Sequence, residues 1–388
     1  MLRYLTAGES HGPALTVIVD GLPAGVPVDL DRVDRLLARR QAGHGRGGRM
    51  RIEHDRATVL GGMRRDRTTG GPVAISVANL DAPNWADLDA RPPVTTPRPG
   101  HADLAGALKY DHQDLRDVIE RASARETAAR VAAGALAEAL LSAFGVRVGA
   151  YVTAIGGVRL ETAPVDEAEA WSAAEAGEVG CPDPATGRAM IEAIEEAARR
   201  GDTLGGTFRV TALGLPPGLG SHVQADRRLD GRLAAALMSI PAIKGVEIGD
   251  GFALADRPGS AVHDEIEPDL RRSSNHAGGL EGGMTNGEPL IVSAAMKPIP
   301  TLSRPLRSVD LSTMEPAPAL KERGDACAVP AASVVGRAAV AFELARAWLE
   351  KFGGDSLAQT TGAYEAYLRE IAARGYGARG SGKEDGRR

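Results

Sequence analysis

An internal repeat constrains this chain more than any other feature. Residues 15–25 read LTVIVDGLPAG and residues 208–218 read FRVTALGLPPG, each an apolar run that ends in G-L-P-x-G. Each copy is followed by a helix-like stretch opened by Asp-Arg, from Asp31 and from Asp226. Further on, GGM at 61–63 leads through Gly71-Pro72 into VAISVAN, and GGM at 282–284 leads through Gly287-Glu288-Pro289 into LIVSAAM. Short Gly/Pro motifs recur by chance in a chain with 48 Gly and 24 Pro, but four elements in the same order twice point to a duplicated half. At roughly 150 residues per domain, 388 residues allow two to three domains or one large one. The repeat favours a single domain over residues 1–375, in halves of about 1–150 and 151–355. A polar, Gly-rich tail at 376–388 is expected to be disordered.

Strand signals fall at Leu15–Val19, Pro72–Val77, Thr207–Ala212 and Pro289–Ala295, all apolar or β-branched and bounded by Gly or Pro. Ser123 and Glu126 have capping-box spacing, which predicts an Ala-rich helix running to about Phe144 and stopped by Gly145. Two more helices are predicted over 187–200 and 333–352, each followed by Gly. Small side chains suit these helices to a buried layer. Strands and helices without regular βαβ alternation argue for an α+β fold.

The charge is unevenly placed. The chain is acidic overall, at −5, which excludes a globally basic nucleic-acid binder. Between Arg32 and Arg67, however, eleven Arg face only Asp34, Glu53, Asp55 and Asp66, a net of +7. Arg captures phosphate and carboxylate in bidentate fashion, and interleaved Gly brings backbone N–H groups within reach. That segment holds no Phe, Tyr or Trp, so base stacking is unsupported and a small, multiply charged anion fits better. A solvated Arg-rich face is the plain alternative. Two of the eight histidines sit in Gly-containing loops: His11 in Gly8-Glu-Ser10-His11-Gly12, and His101 in Arg98-Pro-Gly-His101-Ala-Asp103. Histidine is the side chain best suited to exchange protons near neutral pH, although a lone His is more often structural. No H-E-x-x-H or C-x-x-C spacing occurs, so no metal is expected. The helix start at Arg121-Ala122-Ser123 offers free N–H groups to an anion, or is an ordinary cap.

Other classes drop out. Gly377–Lys383 has the G-x-x-x-x-G-K spacing, but Glu384 follows where Ser or Thr is required. No G-x-G-x-x-G follows a strand, so a dinucleotide-binding fold is not indicated. Two Cys exclude a disulfide scaffold and fit a reducing compartment. With no apolar leader and no 18-residue apolar run, the expectation is a cytoplasmic protein without a membrane partner.

Taken together, GESHGP, RRQ…GRGGR, RPGHADL, RASARETAARVAAGA, IKGVEIGDGF, GGLEGGMTNG, MKPIPTL and CAVPAA resemble the chorismate synthase family, in its order, over about residues 1–355. The resemblance implies a β-α-β sandwich with a helical layer between antiparallel sheets, and a homotetramer. It implies trans-1,4 elimination of phosphate from 5-enolpyruvylshikimate 3-phosphate to give chorismate, with reduced FMN and no net redox change. By the same resemblance, His11 assists phosphate departure, His101 protonates reduced flavin, and Asp325 acts with flavin N5 in taking the substrate proton. Ser10, Arg40, Arg46, Arg49 and Arg98 are the implied substrate ligands, with Arg40 and Arg46 at NADPH if it binds. Flavin contacts would be Arg121, Ala122, Ser123, Pro241, Ala242, Gly282, Lys297, Pro298, Ile299, Pro300, Thr301 and Arg323. No nicotinamide-binding domain is visible, so NADPH is expected only as an indirect source of electrons, through an external reductant. Pro241 stands where Asn or Gln is expected, and His44 where Tyr is usual. Two other readings stay open: a non-catalytic polyanion binder using the Arg-rich segment, and a phosphate-ester lyase that needs no flavin.

Overall fold

A computed structural model describes residues 1–47, 52–162, 164–321 and 324–377. Strands of the two main sheets are numbered here in chain order. A hairpin of β1 (Arg3–Ala7) and β2 (Ala14–Asp20) leads to α1 (Leu30–Gln41), β3 (Ala57–Gly61) and β4 (Val73–Ala78). Helices α2 (Asp103–Tyr110), α3 (Arg116–Ala122) and α4 (Thr127–Ser142) follow. Then come β5 (Arg147–Ile155), a short β6 (Val158–Arg159), α5 (Glu167–Ala176) and α6 (Pro184–Arg199). The chain continues through β7 (Gly206–Leu213), α7 (Leu229–Met238), β8 (Ile243–Ile248), β9 (Leu290–Met296), α8 (Val329–Phe352) and α9 (Leu357–Ala373).

The first sheet has the order β1-β2-β4-β3 and the second β8-β9-β7-β5-β6, with every pairing antiparallel. Leaving out the short β6, the order β5-β7-β9-β8 repeats β1-β2-β4-β3, and α1 and α7 stand at the same point of each half. The boundary read at 150/151 falls inside β5, so the second strand set starts at Arg147. The repeated G-L-P-x-G has a backbone cause. Gly21 and Gly25 have φ of 94° and 89°, and Gly214 and Gly218 have φ of 83° and 85°. A Cβ is penalised at all four, so both copies keep glycine at the same spacing.

The predicted strands are present, each within a residue or so of its expected ends. Their inward faces supply Leu15, Val17, Val19, Val73, Ile75 and Val77 from one sheet. The other sheet supplies Phe208, Val210, Ala212, Leu290, Val292 and Ala294 to the same cluster. Between them lie α4 and α8, buried on nearly all sides, flanked by α1 and α7. This is the α+β sandwich expected, with helices as the middle layer. Alanine and glycine let α4 and α8 approach closely: a Cβ on Gly134 would collide with both the Cβ and the backbone of Ala338. Backbone cannot step aside cheaply. Gly134→Leu is therefore expected to destabilise by about 1–3 kcal/mol, read as a lowered urea midpoint.

One local expectation is corrected. Ser123 caps a short 3₁₀ turn, Ala124–Glu126, by accepting from the N–H of Arg125, and α4 proper begins at Thr127. Glu126 does not reach back to complete a capping box: its carboxylate faces Thr6 and Arg130. The reciprocal box lies instead at the start of α9, between Ser356 and Gln359. Among the described residues, no helix is long and apolar enough to cross a membrane. Of the tail, residues 378–388 lie outside the described residues.

Candidate active site

The loop between β1 and β2 carries Ser10 and His11 and packs on the end of α3. The Ser10 N–H donates to the Glu120 carbonyl, and its hydroxyl donates to Ser123 Oγ at 3.1 Å. Glu120 holds His11 twice: Oε2 accepts from the His11 backbone N–H at 2.8 Å, and Oε1 lies 2.6 Å from ring Nδ1. Arg121 donates to the carbonyls of Thr6 and Gly8, so Arg121, Ala122 and Ser123 sit beside this loop. Asn79, just past β4, donates to the carbonyls of Glu9 and Gly12 and accepts from Arg125 Nε at 2.7 Å.

Arg125 opens a buried charge network. Its Nη1 donates to both oxygens of Asp55, at 2.6 and 2.7 Å, with Glu53 3.6 Å away. Asp55 also accepts from Arg40 Nη2 at 2.7 Å. Arg40 was expected to meet substrate or NADPH, but the structure buries it at the end of α1, with a side chain only 4% exposed. Burial lowers its guanidinium to about 10, Asp55 pulling it up and Arg125 and Arg46 pushing it down. The Arg-rich segment is therefore not one open anion-binding patch. Arg39 likewise turns to the carbonyls of Ala174 and Gly177. His44 spans Glu178 and Glu195 at 3.2 and 3.3 Å.

Arg46 does face the other candidates. Its Nη1 meets Asp325 Oδ2 at 2.7 Å, while Asp325 Oδ1 accepts from the Gly47 N–H at 2.6 Å. The adjoining Gly324 lies against Thr301, whose carbonyl would be 3.1 Å from a Cβ there. Thr301 Oγ1 accepts from Arg98 at 3.2 Å. Arg98 grips Asp103 through Nε, Nη2 and its backbone N–H, at 2.8–3.0 Å. Asp103 Oδ1 lies 2.5 Å from His101 Nδ1. Burial alone would raise Asp103, but hydrogen bonds from His101 and Arg98, with their charges, hold it well below the usual carboxylate range.

Lys297 completes this side. Its Nζ donates to the Gly100 carbonyl at 2.5 Å, and its backbone N–H to the Ala242 carbonyl. Pro300 also approaches Gly100, and the Ile299 carbonyl accepts from Thr203 Oγ1. Ala242, next to Pro241, has φ of 68°, a left-handed conformation costly for a residue with a Cβ. Gly282 has open space beside it: among the described residues, a Cβ there would have only His222 within 4 Å. Arg49 and Arg323 lie outside the described residues.

Contacts thus run from His11 through Ser10, Asn79, Arg125 and Asp55 to Arg40, and from Arg46 through Asp325, Gly324 and Thr301 to Arg98 and His101; between Arg40 and Arg46 the link in this belt is charge repulsion rather than contact. Reasoning from sequence missed Glu120, Asn79, Asp55, Arg125 and Asp103 as partners. Only Asp103 carried a local signal, two residues after His101. Chemically, the belt offers two histidines each held at Nδ1 by a carboxylate, a third carboxylate at Asp325, and guanidinium groups between them. That set suits proton exchange beside a small anion.

Comparison with known proteins points the same way. The family model described as "Chorismate synthase" matches residues 2–349. The "Chorismate synthase" of Symbiobacterium thermophilum is 58% identical, over 96% of this chain and 100% of that protein. That of Desulforudis audaxviator is 57% identical, over 96% and 99%. A solved structure described as "Crystal Structure of Chorismate Synthase" superposes with a TM-score of 0.79 at 42% identity, covering 96% of this chain and 98% of that one. With fold, motif order and near full-length identity in agreement, this chain belongs to the chorismate synthase family.

Proposed function

We propose that the belt from His11 to His101 is where 5-enolpyruvylshikimate 3-phosphate loses phosphate and a proton to become chorismate. Two histidines, each held at Nδ1 by a carboxylate, on a belt of guanidinium groups that also holds Asp325 are the observation that supports this reading. The substrate brings two carboxylates and a phosphate to Arg46 and Arg98. His11, oriented by Glu120, donates a proton to the departing phosphate. When Arg46 moves from Asp325 to a substrate anion, the Asp325 carboxylate keeps the Gly47 hydrogen bond and becomes open to the proton leaving carbon. His101, locked by Asp103, holds a proton at the cofactor. Arg40 acts at a distance, by keeping Asp55 and Arg125 in place.

When bound, reduced FMN would supply the transient electron density that this redox-neutral elimination needs. The residues present suit such a group. Lys297 and Lys244 lie close enough that, after burial, the Lys244 charge lowers the Lys297 ammonium further. Neither lysine has a carboxylate within ion-pair distance among the described residues. Two cations without a carboxylate partner, one of them at the Gly100 carbonyl near Pro300, are what an anionic flavin needs. NADPH serves only indirectly, through a separate reductant. The cytoplasm is the proposed compartment. A homotetramer is supported by the open face of the first sheet, where Leu5, Ile18 and Leu60 are exposed and Leu5 pairs directly with Ile18.

The test is anaerobic turnover of 5-enolpyruvylshikimate 3-phosphate with and without chemically reduced FMN. Chorismate is expected only with reduced FMN, and none is expected aerobically from FMN and NADPH alone. Equal turnover without flavin would favour a plain phosphate lyase. No turnover by folded protein would overturn the reading.

A further inference from the structure

His11 is held by more than Glu120. The Trp85 indole lies on its ring, with centroids 3.8 Å apart and planes tilted by 36°. The His11 side chain is left only 13% exposed. The tryptophan is itself fixed. It ends a 3₁₀ turn, Ala82–Trp85, that contains Pro83 and begins shortly after Asn79. Its Nε1 donates to Asp81 Oδ2 at 3.0 Å, and Asp81 is buried and also accepts from Asn84. Arg91, anchored on Asp87, lies over the same indole at 4.4 Å.

We propose that Trp85 is a positioning residue: it fixes the plane of the His11 imidazole so that the nitrogen not held by Glu120 stays aimed at its proton acceptor. Glu120 occupies Nδ1, which leaves Nε2 for chemistry. A bond at one nitrogen still lets a ring rock about the Cβ–Cγ axis, and contact over a face removes that freedom. The indole also keeps water from that face. Its π surface accommodates a cation, so the stack persists when His11 carries its second proton. Small misplacements of a proton donor cost much: about 1 Å can lower rate by 10²-fold. This inference rests on His11 being the acid at the phosphate, but the stack itself can be examined without substrate.

Two measurements test it. The first uses the full chain with no substrate or flavin, followed by fluorescence. Subtracting the spectrum of Trp85→Phe isolates Trp85 from the other two Trp. An imidazole ring in contact with an indole alters the indole's emission. Trp85 emission is therefore expected to differ between the wild-type chain and His11→Asn at one fixed pH, where the imidazole face is lost. Trp85 emission that is the same with and without the His11 ring overturns the stack. The second is steady-state kinetics at saturating reduced FMN. Trp85→Ala is expected to lower kcat about 10- to 100-fold with little change in KM, and Trp85→Phe to restore most of it. Wild-type kcat in Trp85→Ala, no rescue by Phe, or a loss confined to KM each overturns the positioning role. Should His11→Asn keep full turnover while the fluorescence result holds, the stack stands and the role of His11 falls.

Discussion

Replacing His101 or Asp325 by alanine lowers turnover by at least about 100-fold, the scale expected when a positioned acid or base is lost. For His101 the loss is chemical rather than structural. Asp103 is left with three hydrogen bonds from Arg98, so no buried carboxylate is orphaned when the imidazole goes. The variant should fold, bind flavin and fail in the proton step. Asp325 is less simple, because its two oxygens hold Arg46 and the Gly47 N–H. Alanine frees both, and so mixes loss of a base with disturbance of the loop. Asp325→Asn separates the effects: the amide oxygen still accepts from Gly47, but the group can no longer take a proton. An asparagine variant as slow as alanine assigns the loss to the base. The readout is chorismate formation with reduced FMN, alongside flavin binding by each variant. Near wild-type turnover with flavin bound would remove the residue concerned from the proton-handling set.

The frame of this fold was legible wherever its cause is local. Apolar β-branched runs between Gly and Pro gave strands within a residue or so of their true ends. The repeated G-L-P-x-G was readable because left-handed glycines impose the same letters wherever the same turn is made. The Ala-rich helices were found for a similar reason, since only small side chains permit an approach like that of Gly134 to Ala338. What escaped depends on partners distant in sequence. Glu120 is 109 residues from His11, and nothing in Ile119-Glu120-Arg121 marks it as the group that orients an imidazole. Ser123…Glu126 and Ser356…Gln359 have the same capping spacing, yet only the second closes reciprocally, because Glu126 is drawn to Thr6 and Arg130. The Arg-rich segment misled for the same reason. A local excess of charge says nothing about which guanidinium is turned inward, and Arg40 is turned inward by Asp55 and by the end of α4. The family resemblance named candidate residues, whereas the contacts that group them, such as Glu120 on His11 and Asp55 between Arg40 and Arg125, were not legible.

That inward turn leads to the largest expected stability effect. Asp55→Ala should destabilise the chain by about 3–5 kcal/mol, the usual cost of stripping one partner from a buried ion pair. Side-chain exposure at Asp55, Arg40 and Arg125 is 0, 4 and 2%, so water cannot replace the lost carboxylate. Two guanidinium groups would remain, and among the described residues Glu53, at 3.6 Å from Arg125, would be the carboxylate left to compensate them. The loss would be a large share of a typical folding free energy of about 5–15 kcal/mol. The pH dependence supplies a signature. Arg40 binds its proton more weakly in the folded chain than the ordinary guanidinium value of 12.5, at about 10, and Asp55 is the group holding it up. Without Asp55 the folded value falls further while the unfolded one does not change. The unfolded state then binds more protons over a wider range, and stability of the variant rises with pH relative to wild type. The gap between the two urea midpoints should therefore narrow as pH is raised toward 10. Asp55→Asn, which keeps an acceptor but no charge, should lie between alanine and wild type. A gap below about 1 kcal/mol for Asp55→Ala, the scale of an exposed pair, would show that the network is not the buried, water-excluded unit described. Because Arg125 also holds Asn79, and Asn79 the Ser10–His11 loop, the same substitution should weaken the site from a position that touches no substrate.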